Sequence, residues 1–316
     1  MNIDELVTHY VTFRRTLGEQ CIITEKTLRS FCRAVGPDTP VTHIRLGAVA
    51  KFLAGTGPIT RTWHFKHSAL KGLFQFAVSR GHLNQVPLPT ELPKCPPTLV
   101  PYIYSREELR RMMDAIPSSC RCPCVRVESH TLRAMVLLMY GAGLRRGEVL
   151  RLTSGDVDLP NSVLTIRNTK FFKSRLVPIH PDLTKVLRDY SCWRAATHPS
   201  AGTTSTFFLS KQGEAVHRCS LASAFKRLRE CAGIQRSDGG RFQPRLHDLR
   251  HSFAVHRLAE WYRQGADVQR LVYHLSVYLG HDSLAHTQVY LTMTSDLLQR
   301  AGTLFERYAC GEGSHA

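Results

Sequence analysis

Two copies of the pattern His-x-x-Arg stand in this chain, His130-Thr-Leu-Arg133 and His247-Asp-Leu-Arg250. With 16 His among 316 residues and an arginine-rich composition, chance supplies one or two copies, so the pattern alone decides nothing. A spacing of three puts both side chains on one helix face in either copy. The surroundings single out the second. Leu279-Gly-His281 follows it, and Tyr290 stands nine residues after His281. Upstream lies Tyr140-Gly-Ala-Gly-Leu-Arg145, with Glu148 one turn on, and Thr169-Lys170 leads towards Arg175-Leu-Val-Pro-Ile179. Such a set suits phosphodiester cleavage without a metal, which needs a nucleophile, charge on the non-bridging oxygens and a proton for the leaving oxygen. Arg145 and Arg250 would clamp the phosphate through their planar forks. Tyr290 would attack phosphorus. Its phenol ionises near pH ~10 when unperturbed, so it needs a proton acceptor, for which His247 is the candidate. Lys170 would protonate the departing oxygen, and His281 would hydrogen-bond a non-bridging oxygen.

On these motifs the chain resembles the tyrosine recombinase (phage integrase) family. That family carries Arg, Lys, His-x-x-Arg, His or Trp, and Tyr in this order, and all six positions are filled here: Arg145, Lys170, His247, Arg250, His281 and Tyr290. The likeness runs from about Ser105 to Tyr308, and the helix with Ser68-Ala-Leu-Lys71 extends it towards the N-terminus. It implies site-specific cleavage and rejoining of double-stranded DNA through a 3′-phosphotyrosine and a free 5′ hydroxyl. One ester replaces another, so neither cofactor, metal nor ATP is required. It further implies a homotetramer on DNA with a C-terminal helix, 296–308, exchanged between subunits. A simple recombinase on a mobile element, cytoplasmic and nucleoid-associated, is the setting expected. A type IB topoisomerase-like relaxing enzyme and a non-catalytic DNA-binding protein are the alternatives. The DNA target and any accessory proteins are not legible.

Each residue has a plainer reading. Arg145 could pair structurally with Glu148. Lys173 shares the turn of Lys170, where Phe171 and Phe172 replace the usual small or polar residues. His251 is set aside as the base because it adjoins Arg250 and should point elsewhere, and Asp248 reads as a structural carboxylate. Tyr273 and Tyr278 read as core aromatics, and the stretch Gln264 to Tyr278 as a loop insertion.

The elements that must position these residues read as mainly helical. Helical signals run from Thr24 to Val35, His43 to Ala54 and Thr60 to Arg80, the last with Leu70, Leu73, Phe74, Ala77 and Val78 on one face. Arg61, Lys66 and Lys71 flank that stripe as candidate DNA-binding residues. Six prolines between Val86 and Pro101 mark a linker. Ser105-Arg-Glu-Glu108 is a capping box opening the second half, and further helices are expected from Thr131 to Tyr140, after Gly147, from Asp182 to Ala195, from Ser220 to Ala232 and from His247 onward. Val163 to Ile166 and Arg175 to Ile179 read as strands of a small antiparallel sheet. The expected fold is mainly α with that sheet: residues 1–98 a helical, SAM-like core-binding domain with its linker from about residue 86, and 99–316 an integrase-type catalytic domain with a DNA breaking–rejoining fold.

Composition agrees with a polyanionic partner. The formal charge is +17, from 42 Lys and Arg against 25 Asp and Glu, and the sequence pI is about 9.8. The longest apolar run, Ala134 to Leu144, is too short for a bilayer span, and no signal peptide is visible. Ten cysteines read as reduced thiols, and Cys120, Cys122 and Cys124 lie too close together for an ordinary zinc site.

Overall fold

A computed structural model describes residues 1–57, 59–96, 99–122, 125–167, 174–199, 205–240 and 242–292. The chain divides into two compact units at Thr98–Leu99. The first is helical: α1 (Ile3–Thr16), α2 (Ile22–Val35), α3 (Leu46–Ala54) and α4 (Arg61–Ser79). Helix α1 opens on a capping box that the sequence reading overlooked. The Glu5 N–H donates to Asn2 Oδ1 at 2.8 Å, and the Asn2 N–H donates back to Glu5 Oε2 at 3.0 Å. The helix expected over His43 to Ala54 is instead a 3-10 turn, Val41–His43, followed by α3. The apolar stripe of α4 is buried as expected, with Leu70, Leu73, Phe74 and Ala77 packed against Leu6, Leu28 and Phe31. Val86 and Leu88 also pack on this core, so the chain stays attached to it past the start of the proline-rich stretch.

The second unit contains α5 (Arg106–Cys120), α6 (Ser129–Gly141), α7 (Arg146–Arg151), α8 (Pro181–Thr197), α9 (Arg218–Cys231), α10 (Asp248–Arg263), α11 (Val268–Leu279) and α12 (Ala285–Gln288). The capping box at Ser105 and Glu108 is formed in both directions, at 3.0 and 2.8 Å. Helix α6 runs through the core, its Leu132, Met135, Val136, Leu138 and Met139 all fully buried. The sheet has three antiparallel strands in sequence order: β1 (Val157–Asp158), β2 (Val163–Ile166) and β3 (Arg175–Pro178). Leu164 faces Val177, and Ile166 faces Arg175, which fixes the register.

Where a loop insertion was expected, Gln264 to Asp267 form a short turn and the remainder is α11. Asp267 caps it, accepting from the Arg270 N–H at 3.1 Å. Phe253, Val255 and Leu258 of α10 pack on Val272, Leu275 and Leu279 of α11, and Tyr290 lies in the same cluster, within a 3-10 turn at Val289–Thr292. Tyr278 is half-buried as expected, but Tyr273 is exposed on the outer face of α11 and is no core residue. Among the described residues, no helix is long and apolar enough to cross a membrane. No group of three His, Cys, Asp or Glu side chains among them could hold a metal ion; Cys124 lies outside the described residues.

Candidate active site

The C-terminal end of α11 organises the site. Its last carbonyls have no partner within the helix and form the negative end of its dipole. Three guanidiniums converge on them. Arg175 Nε donates to Tyr278 O at 3.0 Å, Arg250 Nη2 to Leu279 O at 2.8 Å, and Arg145 Nη2 to Gly280 O at 2.7 Å. Arg250 Nη1 also donates to Gly143 O at 2.6 Å, tying α10 to the turn before α7. His281 is the next residue after Gly280, so the expected His281 position lies at the same corner as both expected phosphate-binding arginines.

Among the described residues, Glu148 is the one carboxylate hydrogen-bonded to these arginines. It receives both Nη atoms of Arg175, at 3.0 and 2.9 Å, together with the Arg145 N–H at 2.9 Å and Arg145 Nη1 at 3.0 Å. Burial alone would raise its pKa, but the hydrogen bonds and charge of Arg175, then those of Arg145, hold it down at about 2. The structural pairing weighed for Arg145 is therefore present, and the same guanidinium is still 38% exposed. Three arginines against one carboxylate leave an excess of two positive charges. Among the described residues Arg250 makes no ion pair, although it is 1% exposed. Burial, then the charge of Arg145, pulls its pKa down to about 10, so it stays protonated at neutral pH. A buried cation bonded to two carbonyls and the Tyr290 phenol, with no counter-charge of its own, is costly, and an arriving anion would relieve that cost.

His247 stands at the N-cap of α10. Its lead-in is fixed by Asp248, fully buried as a structural carboxylate, which accepts from the Arg245 N–H and from Arg245 Nη2, each at 2.8 Å. Burial first, then the charge of Arg250, lowers the pKa of His247 to about 4. His281 is lowered to about 3 by burial, then by Arg250 and Arg145. Its Nδ1 lies 2.7 Å from Thr287 Oγ1, and its ring centroid lies 6.1 Å from that of Tyr290. Tyr290 is 3% exposed. Burial raises its pKa, against the lowering influence of Arg250 and Arg145.

Five of the six expected residues thus come together from three separated stretches of chain. Lys170 and its rival Lys173 lie outside the described residues, as does the segment 296–308. Two residues outside the expected six, Arg175 and His251, also stand in this group. Arg175 was noted only as the start of a strand. His251, set aside, has its Nδ1 3.1 Å from the Tyr290 hydroxyl. The missed signal is helical spacing: His251 is four residues from His247, and the two rings meet edge to face with centroids 4.8 Å apart.

A groove of about 990 Å³ opens beside these groups, lined by Arg145, Arg146, Arg151, Arg218, Lys226, Arg229, Arg245 and His247. In the other unit, Arg61 and Lys71 are exposed. Lys66 is turned towards its own fold, with Nζ 4.6 Å from the Phe52 ring centroid and 3.3 Å from Phe52 O.

Comparison with known proteins now decides the family. Residues 104–296 match the phage integrase family. The chain belongs to the phage integrase family of tyrosine recombinases. It is 34% identical over 302 residues to a putative integrase/recombinase, y4rE, of Sinorhizobium fredii, covering 95% of this chain and 94% of that one. It is 30% identical over 277 residues to the tyrosine recombinase XerA of Pyrococcus furiosus, covering 87% and 85%. Among solved structures, the Tn1549 transposon integrase in complex with transposon right-end DNA superposes with a TM-score of 0.70 at 16% identity, over 98% of this chain and 100% of that one. A lambda integrase dimer bound to a core site gives 0.60 at 20%, over 90% and 96%. These structural likenesses establish the fold. This integrase-family chain is accordingly a recombinase, and the topoisomerase-like and non-catalytic alternatives are not favoured.

Proposed function

We propose that this recombinase cleaves and rejoins double-stranded DNA through a covalent link between Tyr290 and a 3′ phosphate. Tyr290 Oη attacks phosphorus, the P–O5′ bond breaks, and the 5′ oxygen leaves as a hydroxyl after taking a proton, for which Lys170 is the candidate donor. Arg145 and Arg250 neutralise the non-bridging oxygens, with His281 donating a further hydrogen bond. The phenol's proton passes to the first turn of α10, which carries His247 and His251. Attack on the phosphotyrosine by another 5′ hydroxyl reverses the step and joins new strands; the ester count is unchanged, so no ATP is consumed. Duplex DNA fits the cationic groove, and the exposed Arg61 and Lys71, rather than Lys66, are the candidate DNA contacts of the first unit. A homotetramer, with 296–308 exchanged between subunits, and carriage on a mobile element complete the reading. The solved relatives include a lambda integrase tetramer bound to a Holliday junction.

The observation that carries this reading is the convergence of Arg145, Arg250 and His281 on the end of α11, beside the ring of Tyr290. The test is covalent trapping. Nicked duplexes of randomised sequence are incubated with the protein, and adducts that survive denaturation are enriched and sequenced. A Tyr290→Phe variant should give no adduct on the enriched duplex. Adduct formation by that variant would remove Tyr290 from the reaction.

A further inference from the structure

We propose that His251, a residue outside the six expected ones, is the group that takes the proton of Tyr290 as its oxygen attacks phosphorus. The proposal rests on the reading of Tyr290 as nucleophile. Its ground is position: His251 Nδ1 lies 3.1 Å from the Tyr290 hydroxyl, within reach for direct proton transfer. The two rings are held with centroids 5.5 Å apart and planes tilted by 58°. His247 meets His251 rather than the phenol. On α10, His247 lies between the two directions, sharing a face with Arg250 at one spacing and with His251 at the next. The phenol, which packs on α10 from the 3-10 turn, meets both Arg250, a donor only, and His251, which can accept its proton.

The proton count is simple. The O–H bond of Tyr290 breaks as a bond from its oxygen to phosphorus forms, and His251 becomes an imidazolium. In the reverse step that imidazolium returns the proton to the departing phenol. The charged and titratable groups facing His251 are His247, Asp248, Arg250 and Arg245 from α10 and its lead-in, Tyr290 from the 3-10 turn, and His281 from the end of α11. Burial, then His247, holds the His251 pKa at about 4, with Asp248 opposing and Arg250 and Arg245 adding to the depression. The imidazole is therefore neutral and able to accept a proton at pH 7, and its burial makes it a weak base. A phosphate bound to Arg250 would offset that residue's share of the depression, while burial and His247, the larger causes, remain.

Single-turnover cleavage of the enriched nicked duplex tests this in the full chain. His251→Gln should slow adduct formation by about 10²–10⁴-fold, the range for loss of a positioned base. Its rate should then climb with pH, because the phenol must ionise unaided, while the wild-type rate levels off. Fluorinated tyrosine at position 290, a more acidic phenol, should restore much of the loss in His251→Gln. Cleavage at the wild-type rate, or a slow rate with the wild-type pH profile and no recovery on fluorination, would overturn the proposal. So would the steep profile appearing in His247→Gln instead. Histidine ¹⁵N shifts of the unaltered protein give a check independent of any variant: His251 should carry its proton on Nε2, and a proton on Nδ1 would count against the assignment. Adduct formation by Tyr290→Phe, in contrast, would sink the nucleophile and leave the histidine result without bearing on it.

Discussion

At the scale of single residues, Glu148 shows how the site holds its charges in place. Its side chain is 3% exposed and takes four hydrogen bonds from two arginines. Glu148→Gln should cost about 3–5 kcal/mol in urea unfolding, since Arg175 is left without its counter-charge. The same carboxylate sets an acid limit. Its pKa falls from 4.5 to about 2 on folding, so its contribution is present above pH 4.5 and is lost as pH drops towards 2. That contribution amounts to about 3 kcal/mol, and unfolding midpoints followed across this window should show the loss, which Glu148→Gln should blunt. Arg250→Lys tests the clamp in a different way. An ammonium keeps the charge but cannot reproduce a fork reaching both Gly143 O and Leu279 O. Adduct formation should fall by about 10²–10³-fold, as when one oxyanion donor is removed. A rate within a few-fold of wild type would mean that charge alone suffices.

At the scale of elements, the site depends on two turns meeting. Gly143, with φ of +60°, lets the chain leave α6 and present its carbonyl to Arg250. A Cβ there would lie 2.6 Å from Phe253 and 2.7 Å from Leu279, forcing α10 and α11 apart. Gly143→Ala should therefore destabilise the fold by more than about 1 kcal/mol and reduce cleavage at temperatures where the variant is fully folded. Equal cleavage by the folded variant would show that this contact does not position Arg250. Gly280 closes the other turn: its φ is +67°, and a Cβ there would lie 2.8 Å from Arg175 Nη1. Element starts and stops of this sort were largely legible in the chain. The Ser105 box and the α4 stripe follow from local hydrogen bonding and period. The insertion expected at Gln264 to Tyr278 did not, because a four-residue turn and a capped helix differ from a loop only through Asp267 and the burial of Val272 and Leu275.

At the scale of the whole molecule, excess positive charge becomes a groove in the second unit. Arg218 and Lys226, just over two turns apart on α9, line it with Arg146 and Arg151. Arg218→Ala and Lys226→Ala should each weaken duplex binding without preference for sequence. Each should also lower the slope of log affinity against log salt by about 1. Fluorescence anisotropy over a salt series measures both, and an unchanged slope would take these side chains off the DNA path.

The order and flanking motifs of the polar residues, read through the resemblance to the integrase family, were enough to name Arg145, His247, Arg250, His281 and Tyr290 as partners. The residue order alone also fixed the mainly helical character, since hydrophobic period and caps act over a few residues. Which histidine meets the phenol was not available there. Adjacency to Arg250 turned His251 away from the phosphate clamp on any helix, yet only folding decided what lay in that other direction. The packing of Val289–Thr292 against α10 brought Tyr290 to it. Likewise, the end of α11 collects three arginines because its unpaired carbonyls lie where three distant segments cross, a coincidence in space that sequence separation conceals.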